Sequence, residues 1–368
     1  MTRRKFIATA AIAGTGAALG GFALHSRNGR AAYEASARGT WRPSGADVGD
    51  ARNRMLELVR HATLAPSSHN TQCWKFRIGE KTIAILPDYG RRCPVVDPDD
   101  HHLFTSLGCA AENLVQAAAA MGFRGEATFG AGSGDSLDIA LQAAQPVASP
   151  LFDAIPVRQS TRAEFDSKAL SSRELGLLEA AGTGDGVRVL LLTDRQAMER
   201  VLEFVIQGNT SQMQDPAFVK ELKDWVRFNG AQAARAGDGL FTGSSGNPSL
   251  PGWLGGPMFD LFFTEGAEND KYARHVRSSA GIAVFVSEKD DKAHWVQAGR
   301  AFQRFALQAA ALGVRNSHLN QPVEVPALRP EFARFMGVTS GRPDLIVRFG
   351  RGPEMPRSLR RPVEEFVA

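Results

Sequence analysis

The sequence predicts an α+β fold made by tandem duplication, and three observations predict it. An Ala-rich helix bounded by Gly108 and Gly122 recurs, at the same glycine spacing, between Gly299 and Gly313. A short β-type run precedes each copy, Thr82–Leu86 and Gly281–Val286. Each helix is nearly apolar all round, the mark of a helix buried on every side. Two unrelated Ala-rich helices would share composition but not matching glycines and matching upstream strands, so duplication is the better reading.

The elements follow in order. Residues 1–45 read as a signal and linker. Arg3 and Arg4 precede Lys5-Phe6-Ile7, and a weakly apolar, glycine-rich run extends from Ala8 to Leu24. This is the pattern of a twin-arginine export signal, too short and too rich in glycine for a good membrane span. Ala35-Ser36-Ala37 is a candidate cleavage site. The twin-arginine (Tat) export machinery is therefore an expected partner and the periplasm an expected destination. Because that route carries folded proteins, a cofactor inserted before export is also expected. Residues 46–150 form the first half and 151–368 the second. Within them Ala51–Thr63 reads as a helix running into a turn at Pro66. Trp74–Ile78 and Thr82–Leu86 read as a hairpin around Gly79. Further on, Ser172–Ala181, Arg195–Gly208 and Pro216–Ala234 read as helices, and Val187–Thr193 and Asp344–Phe349 as strands. The Gly/Pro/Ser-rich stretch 236–268 carries Phe241, Trp253, Phe259, Phe262 and Phe263. Long loops in compact domains are usually functional, so it reads as a lid-like insertion.

Bulk properties narrow the function. The 368 residues are 43% apolar and 22% charged with a net charge of +4, and the arginines are dispersed, so no nucleic-acid partner is expected. Cys73, Cys93 and Cys109 have no C-x-x-C spacing, which indicates neither a disulfide framework nor a zinc site. Adjacent His101 and His102 point apart, and with Asp99 and Asp100 read as a polar loop rather than a metal site.

Two motifs carry chemistry. Arg158, Ser160 and Arg162 alternate, so an extended backbone puts all three on one face, where fixed guanidinium forks suit a dianionic phosphate. The bland alternative is surface ion pairing with Glu164 or Asp166. Upstream, Pro66-Ser67-Ser68-His69-Asn70, closing on Gln72 and Trp74, offers hydroxyls and an amide to the polar edge of a flat heterocycle. Its alternative is a helix end followed by an Asx-turn. A phosphate motif and a ring-edge motif together suggest a mononucleotide cofactor. His69 and His318 fall inside such motifs and read either as proton donors or as structural histidines.

From about residue 50 to the end the chain resembles the nitroreductase (flavin reductase) superfamily, and more narrowly its twin-arginine-exported, Acg-like branch. The resemblance rests on Ala65–Trp74, Ile155–Phe165, Leu312–Pro322 and Arg360–Phe366, in that order and spacing. It implies an α+β sandwich, sheets packed on central helices, with FMN as cofactor. Ordinary members are homodimers that divide each FMN site between subunits. Here residues 45–60 hold no Arg-x-Ser-x-Arg and residues 177–190 hold no Pro-Ser-Ser-x-Asn. The inference is an intramolecular pseudo-dimer with one complete and one degenerate site, expected to be a monomer.

By the same resemblance Arg158, Ser160 and Arg162 hold the phosphate, joined by Arg360 or Arg361. Ser67, Ser68 and Asn70 face the isoalloxazine and ribityl, with Gln72 a weaker candidate. Asn320 and Gln321, in the segment Ser317–Gln321, lie near the reactive edge of the ring. Cys73 stands where the family usually has proline. No protein acid or base is assigned to catalysis. The expected activity is hydride transfer through flavin N5 to or from a small organic substrate such as a nitro compound or quinone. The electron donor is left open, since NAD(P)H is not expected outside the cytoplasm. The alternative is an FMN-sequestering protein closed by the 236–268 segment.

Overall fold

The computed structural model describes residues 29–43, 50–131 and 134–368. The twin-arginine pair and the apolar run after it lie outside the described residues. Among the described residues, no helix is long and apolar enough to cross a membrane.

Two four-stranded antiparallel sheets organise the chain. The first contains β1 (Trp74–Ile78), β2 (Thr82–Pro87), β3 (Phe123–Phe129) and β4 (Leu137–Ala143), in the order β1-β2-β4-β3. The second contains β5 (Val187–Leu192), β8 (Gly281–Ser287), β9 (Arg315–His318) and β10 (Arg342–Gly350), in the order β5-β8-β10-β9. Strand for strand these are the same wiring. In each half a 20-residue helix joins the second strand to the third, His101–Ala120 in one and Lys292–Ala311 in the other. The halves differ between their first two strands. A tight turn at Gly79 closes β1 on β2, whereas β5 reaches β8 only through residues 193–280. That insertion also holds a small parallel pair, β6 (Val226–Arg227) and β7 (Leu240–Phe241).

The two central helices cross at their glycines. A methyl group on Gly108 would fall 2.0 Å from the Val296 carbonyl oxygen, and one on Gly299 would fall 1.9 Å from that of Thr105. Only glycine permits this approach. Around the crossing Phe104, Leu107, Leu114, Val296, Phe302 and Phe305 are wholly buried, each worth about 1.5–3 kcal/mol of transfer free energy. Polar groups at the same interface are paired. Gln303 Nε2 donates to Asn113 Oδ1 at 2.6 Å, and Glu112 receives Arg300 and Arg304 at 3.2 Å each.

Several expectations change. His101 and His102 are not a loop; they open the first central helix and are buried. The helix expected over 216–234 is two, Pro216–Trp225 and Gly230–Ala236, because the Asn229 side chain accepts from Gln232 N and starts a new helix. The 236–268 stretch is not a bare loop. It holds the helix Gly252–Phe262 and the first turn of Glu265–Arg277, and Phe259 stacks on Phe263 at 4.5 Å. Residues 29–43, read as linker, pack on the fold. Tyr33 Oη donates to the Arg357 carbonyl at 2.7 Å and Trp41 Nε1 to that of Ser358 at 2.9 Å. The triplet Ala35–Ala37 thus lies inside a packed helix.

Chain crossovers tie the halves together. The end of the chain edges the first sheet, with Phe76 N donating to Phe366 O at 2.7 Å and Ala368 N to Phe76 O at 2.8 Å. The segment around Ser160 edges the second sheet, with Thr161 N donating to Asn316 O at 2.8 Å.

Candidate functional site

The two sequence motifs meet between the halves. Ser67, Ser68 and His69 come from the turn that follows the Ala51–Thr63 helix, Ser160 and Arg162 from the edge of the second sheet, and Ser317–Gln321 from the end of β9. All of them line one cavity of about 690 Å³, within the range of ligand pockets. A chamber of about 50 Å³ adjoins it and shares Pro66, Ser67, Ser160 and Arg162 as walls.

The small chamber is built for an anion. Among the described residues, its wall carries Arg158, Arg162, Arg357 and Arg360 and no carboxylate. Arg158 is 4% exposed and spends only Nη2, on the Leu64 carbonyl at 3.3 Å; its Nε and Nη1 have no partner among the described residues. Burial lowers its pKa to about 10, so it stays charged. Arg162 has no hydrogen-bond or ion-pair partner among the described residues, and burial lowers its pKa too. An uncompensated buried guanidinium is costly, and an anion relieves the cost.

The tail arginines do other work. Arg360 uses all its donors on the carbonyls of Thr63, Leu64, Ala65 and Leu359 and on Asn70 Oδ1. It therefore ties off the end of the Ala51–Thr63 helix and leaves only its charge for the chamber. Arg361 faces neither cavity. It donates to the Gln72 carbonyl at 3.3 Å and lies over the Phe366 ring. Gln72 is wholly buried away from the site, its amide bound to the Gly237 carbonyl and the Arg361 backbone. Asn70 borders the small chamber, but its amide is consumed by Gly239, Leu359 and Arg360. These bonds hold a strained turn, since His69, Asn70 and Gln72 have φ of 46°, 55° and 55°. Asn320 and Gln321 line the large cavity, Asn320 held by Ile346 N and Gln321 by the Tyr272 hydroxyl.

The insertion supplies the apolar wall of the large cavity, with Phe218, Phe228, Met258, Phe259 and Phe263. The opposite wall is polar. Burial lowers His69 to a pKa of about 4 and His318 to about 3, so both are neutral near pH 7 and are poor proton donors. His102 differs. Burial pushes its pKa down, but the Asp97 hydrogen bond and charge outweigh that and leave it raised. Its Nε2 lies 3.2 Å from Asn320 Nδ2. Asp97, His101 and His102 present ligand atoms within 4.8 Å of one another. Yet each Asp97 oxygen accepts a backbone N–H of the helix start at 3.0 Å, and His101 Nε2 binds Asp344 at 2.9 Å. The cluster reads as a helix cap, not a cation site.

Sequence reasoning missed Tyr272, Glu324 and Arg348 on the cavity wall. For Arg348 a signal existed, an arginine inside the otherwise apolar run Leu345–Phe349. It is fully buried, stacks over Phe165 at 4.1 Å and donates to the Thr161 and Ala163 carbonyls at 3.0 and 2.8 Å. It thereby sets the backbone on either side of Arg162.

No family model matches the chain. Among curated proteins it is 25% identical over 315 residues to "Putative NAD(P)H nitroreductase Rv3131" of Mycobacterium tuberculosis, covering 83% of this chain and 88% of that one. It is 23% identical over 321 residues to "Putative NAD(P)H nitroreductase acg" of the same organism, covering 83% and 93%. Solved structures similar in part include a nitroreductase with bound FMN from Desulfitobacterium hafniense DCB-2, with 12% identity, 60% of this chain, 98% of that one and a TM-score of 0.39. The FMN-dependent nitroreductase NfnB from Mycobacterium smegmatis, in complex with NADPH, gives 12%, 59%, 96% and 0.38.

Proposed function

Taking as premise that the chain belongs to the nitroreductase superfamily, with Acg among its relatives, we propose that it is an FMN-dependent oxidoreductase acting on a small organic substrate. One observation carries the reading. Among the described residues, Arg158 keeps two unpartnered buried donors beside the unpaired Arg162, in a chamber lined by no carboxylate that adjoins a cavity large enough for a ring. These residues fit the group. Arg158, Ser160 and Arg162 would hold its phosphate; Ser67, Ser68 and the Ser317–Gln321 segment would border its ring. When bound, FMN supplies hydride exchange with organic molecules, and the protein supplies binding, orientation and electrostatics.

The chain's own residues define the rest. Phe218, Phe228, Phe259 and Phe263 exclude water from the side where a flat organic substrate would rest. His102, its Nδ1 turned to Asp97, accepts the Asn320 amide at Nε2 and so fixes Asn320 at the cavity wall. Phe262 borders the cavity and is 63% exposed, which favours an open mouth over permanent sequestration. Export through the twin-arginine route would put the enzyme in the periplasm, with an electron donor other than NAD(P)H. Both halves of the site come from one chain, so a monomer suffices.

The test is FMN affinity, followed by visible absorbance, for wild type, Arg158→Ala and Arg361→Ala. The reading expects a loss of about 10- to 100-fold for Arg158→Ala, from a charge-assisted bond of about 1.5–3 kcal/mol, and little change for Arg361→Ala. Equal affinity in all three would refute it.

A further inference from the structure

Among the described residues, two carboxylates line the large cavity, Glu268 and Glu324. Glu268 is matched, with Lys271 Nζ at 2.7 Å. Glu324 is not. Its Oε2 accepts the Gln212 amide at 2.7 Å. Among the described residues its Oε1 has no hydrogen bond, and neither oxygen has an ion pair.

The cations around Glu324 are engaged elsewhere. His102 turns Nδ1 to Asp97 at 3.5 Å, and Arg329 holds Asp99 at 3.2 Å. Burial raises the Glu324 pKa against the weaker pull of His102. A carboxylate in that position lacks a compensating charge, and a cation brought by a ligand supplies one.

The surroundings say what carries the cation. Gln321–Glu324 is a single short helical turn, so Glu324 shares a face with Gln321. Gln321 belongs to the segment that would border the flavin ring, which puts the carboxyl beside the substrate's place. The insertion contributes aromatic rings to the same cavity. Phe259 stacks on Phe263 at 4.5 Å, and Phe228 stands edge-on to Phe259 at 6.3 Å. Such rings hold a flat apolar body and attract positive charge at their faces.

We infer that Glu324 selects the substrate, and that the cavity takes a protonated amine carried on a flat, apolar body. The ammonium meets the Glu324 carboxylate, and the body lies against the phenylalanines. A neutral nitro compound or quinone offers Glu324 neither a charge nor an N–H. The inference deepens the function proposed above and rests on it for turnover; binding of the amine needs the cavity alone.

The test is calorimetric titration of the full chain at pH 7 with benzylamine, tyramine and tryptamine, each against its neutral alcohol counterpart. In wild type at least one amine should bind about tenfold or more tighter than its alcohol, as a charge-assisted hydrogen bond requires. Glu324→Gln keeps an oxygen for Gln212 and should lose that preference. Glu324→Asp, which withdraws the carboxylate by one methylene, should keep part of it. Thermal melts show that the variants are folded, and the preferred amine should raise the midpoint of wild type but not of Glu324→Gln. Equal binding of amines and alcohols, no binding of any amine, or a preference that survives Glu324→Gln overturns the inference. Visible absorbance of the same samples separates the two readings. Amine preference in a protein that takes up no FMN sinks the cofactor and leaves the amine site; a yellow protein without the preference does the reverse.

Discussion

Gly108 and Gly299 occupy equivalent places in the two central helices, and each removes the side chain that would strike the other helix. The contact of Gly108 with Val296 is repeated as that of Gly299 with Thr105, and the same offset along the chain separates each residue from its counterpart. Contacts reciprocated in this way are those of a two-fold interface, here within one polypeptide. The interface creates the site, because the Ser67 turn and the Arg162 segment come from opposite halves.

Gly108→Ala and Gly299→Ala should each therefore destabilise the protein by about 3 kcal/mol or more, since the methyl meets backbone rather than a movable side chain. The double variant should lose less than the sum, because both act on one crossing. Denaturant midpoints for the three variants check this.

Arg158 should show opposite effects on binding and folding. Its unpartnered buried donors cost stability in the ligand-free protein. Arg158→Met should raise the thermal midpoint of flavin-free protein while weakening FMN binding. Arg360→Met should lower the midpoint, because five carbonyl and amide contacts at the end of the Ala51–Thr63 helix disappear. Calorimetry of apo protein distinguishes the two.

Much of this was legible in the sequence. The repeated helices announced the duplication, and Ala51–Thr63 was readable as a helix running into the Pro66 turn. Arg158, Ser160, Arg162, Ser67 and Ser68, which the structure brings to the walls of the cavity and its adjoining chamber, could be singled out because alternating or clustered polar residues need only local geometry. Illegible were features fixed by distant partners. Arg360 and Gln72 look like ligands in sequence, yet their bonds go to backbone groups hundreds of residues away in one case and to the tail in the other. The helix Gly252–Phe262 was obscured by its glycines and Pro257, which local propensity counts against a helix but which packing on Phe228 tolerates. β3 and β4 were missed because Ala, Gly and charged residues dilute their β pattern.

Asp97 yields a pH dependence. Burial alone would raise its pKa, but the His102 hydrogen bond and charge outweigh that and hold it at about 2. A carboxylate depressed on folding stabilises above its unfolded value near 4, and that contribution is lost as pH falls towards 2. Wild type should exceed Asp97→Asn by about 2 kcal/mol at pH 7, with the gap closing between about pH 4 and pH 2. Urea unfolding of both proteins across that range checks the sign.

Trp41 anchors the described N-terminal segment, with the Arg357 and Arg360 guanidiniums over its ring at 5.0 and 5.2 Å. Trp41→Ala should cost about 3 kcal/mol and weaken FMN binding as well, because it loosens the wall of the small chamber. Thermal melts paired with flavin titration measure both effects.

The central claim, one flavin site completed between two fused halves, is tested most directly by the visible spectrum of the full chain purified from cytoplasm, reduced anaerobically with dithionite and then exposed to air. Wild type is expected to be yellow, to bleach and to reoxidise promptly, with less FMN retained by Arg158→Ala. A colourless wild type that takes up no added FMN would contradict the claim.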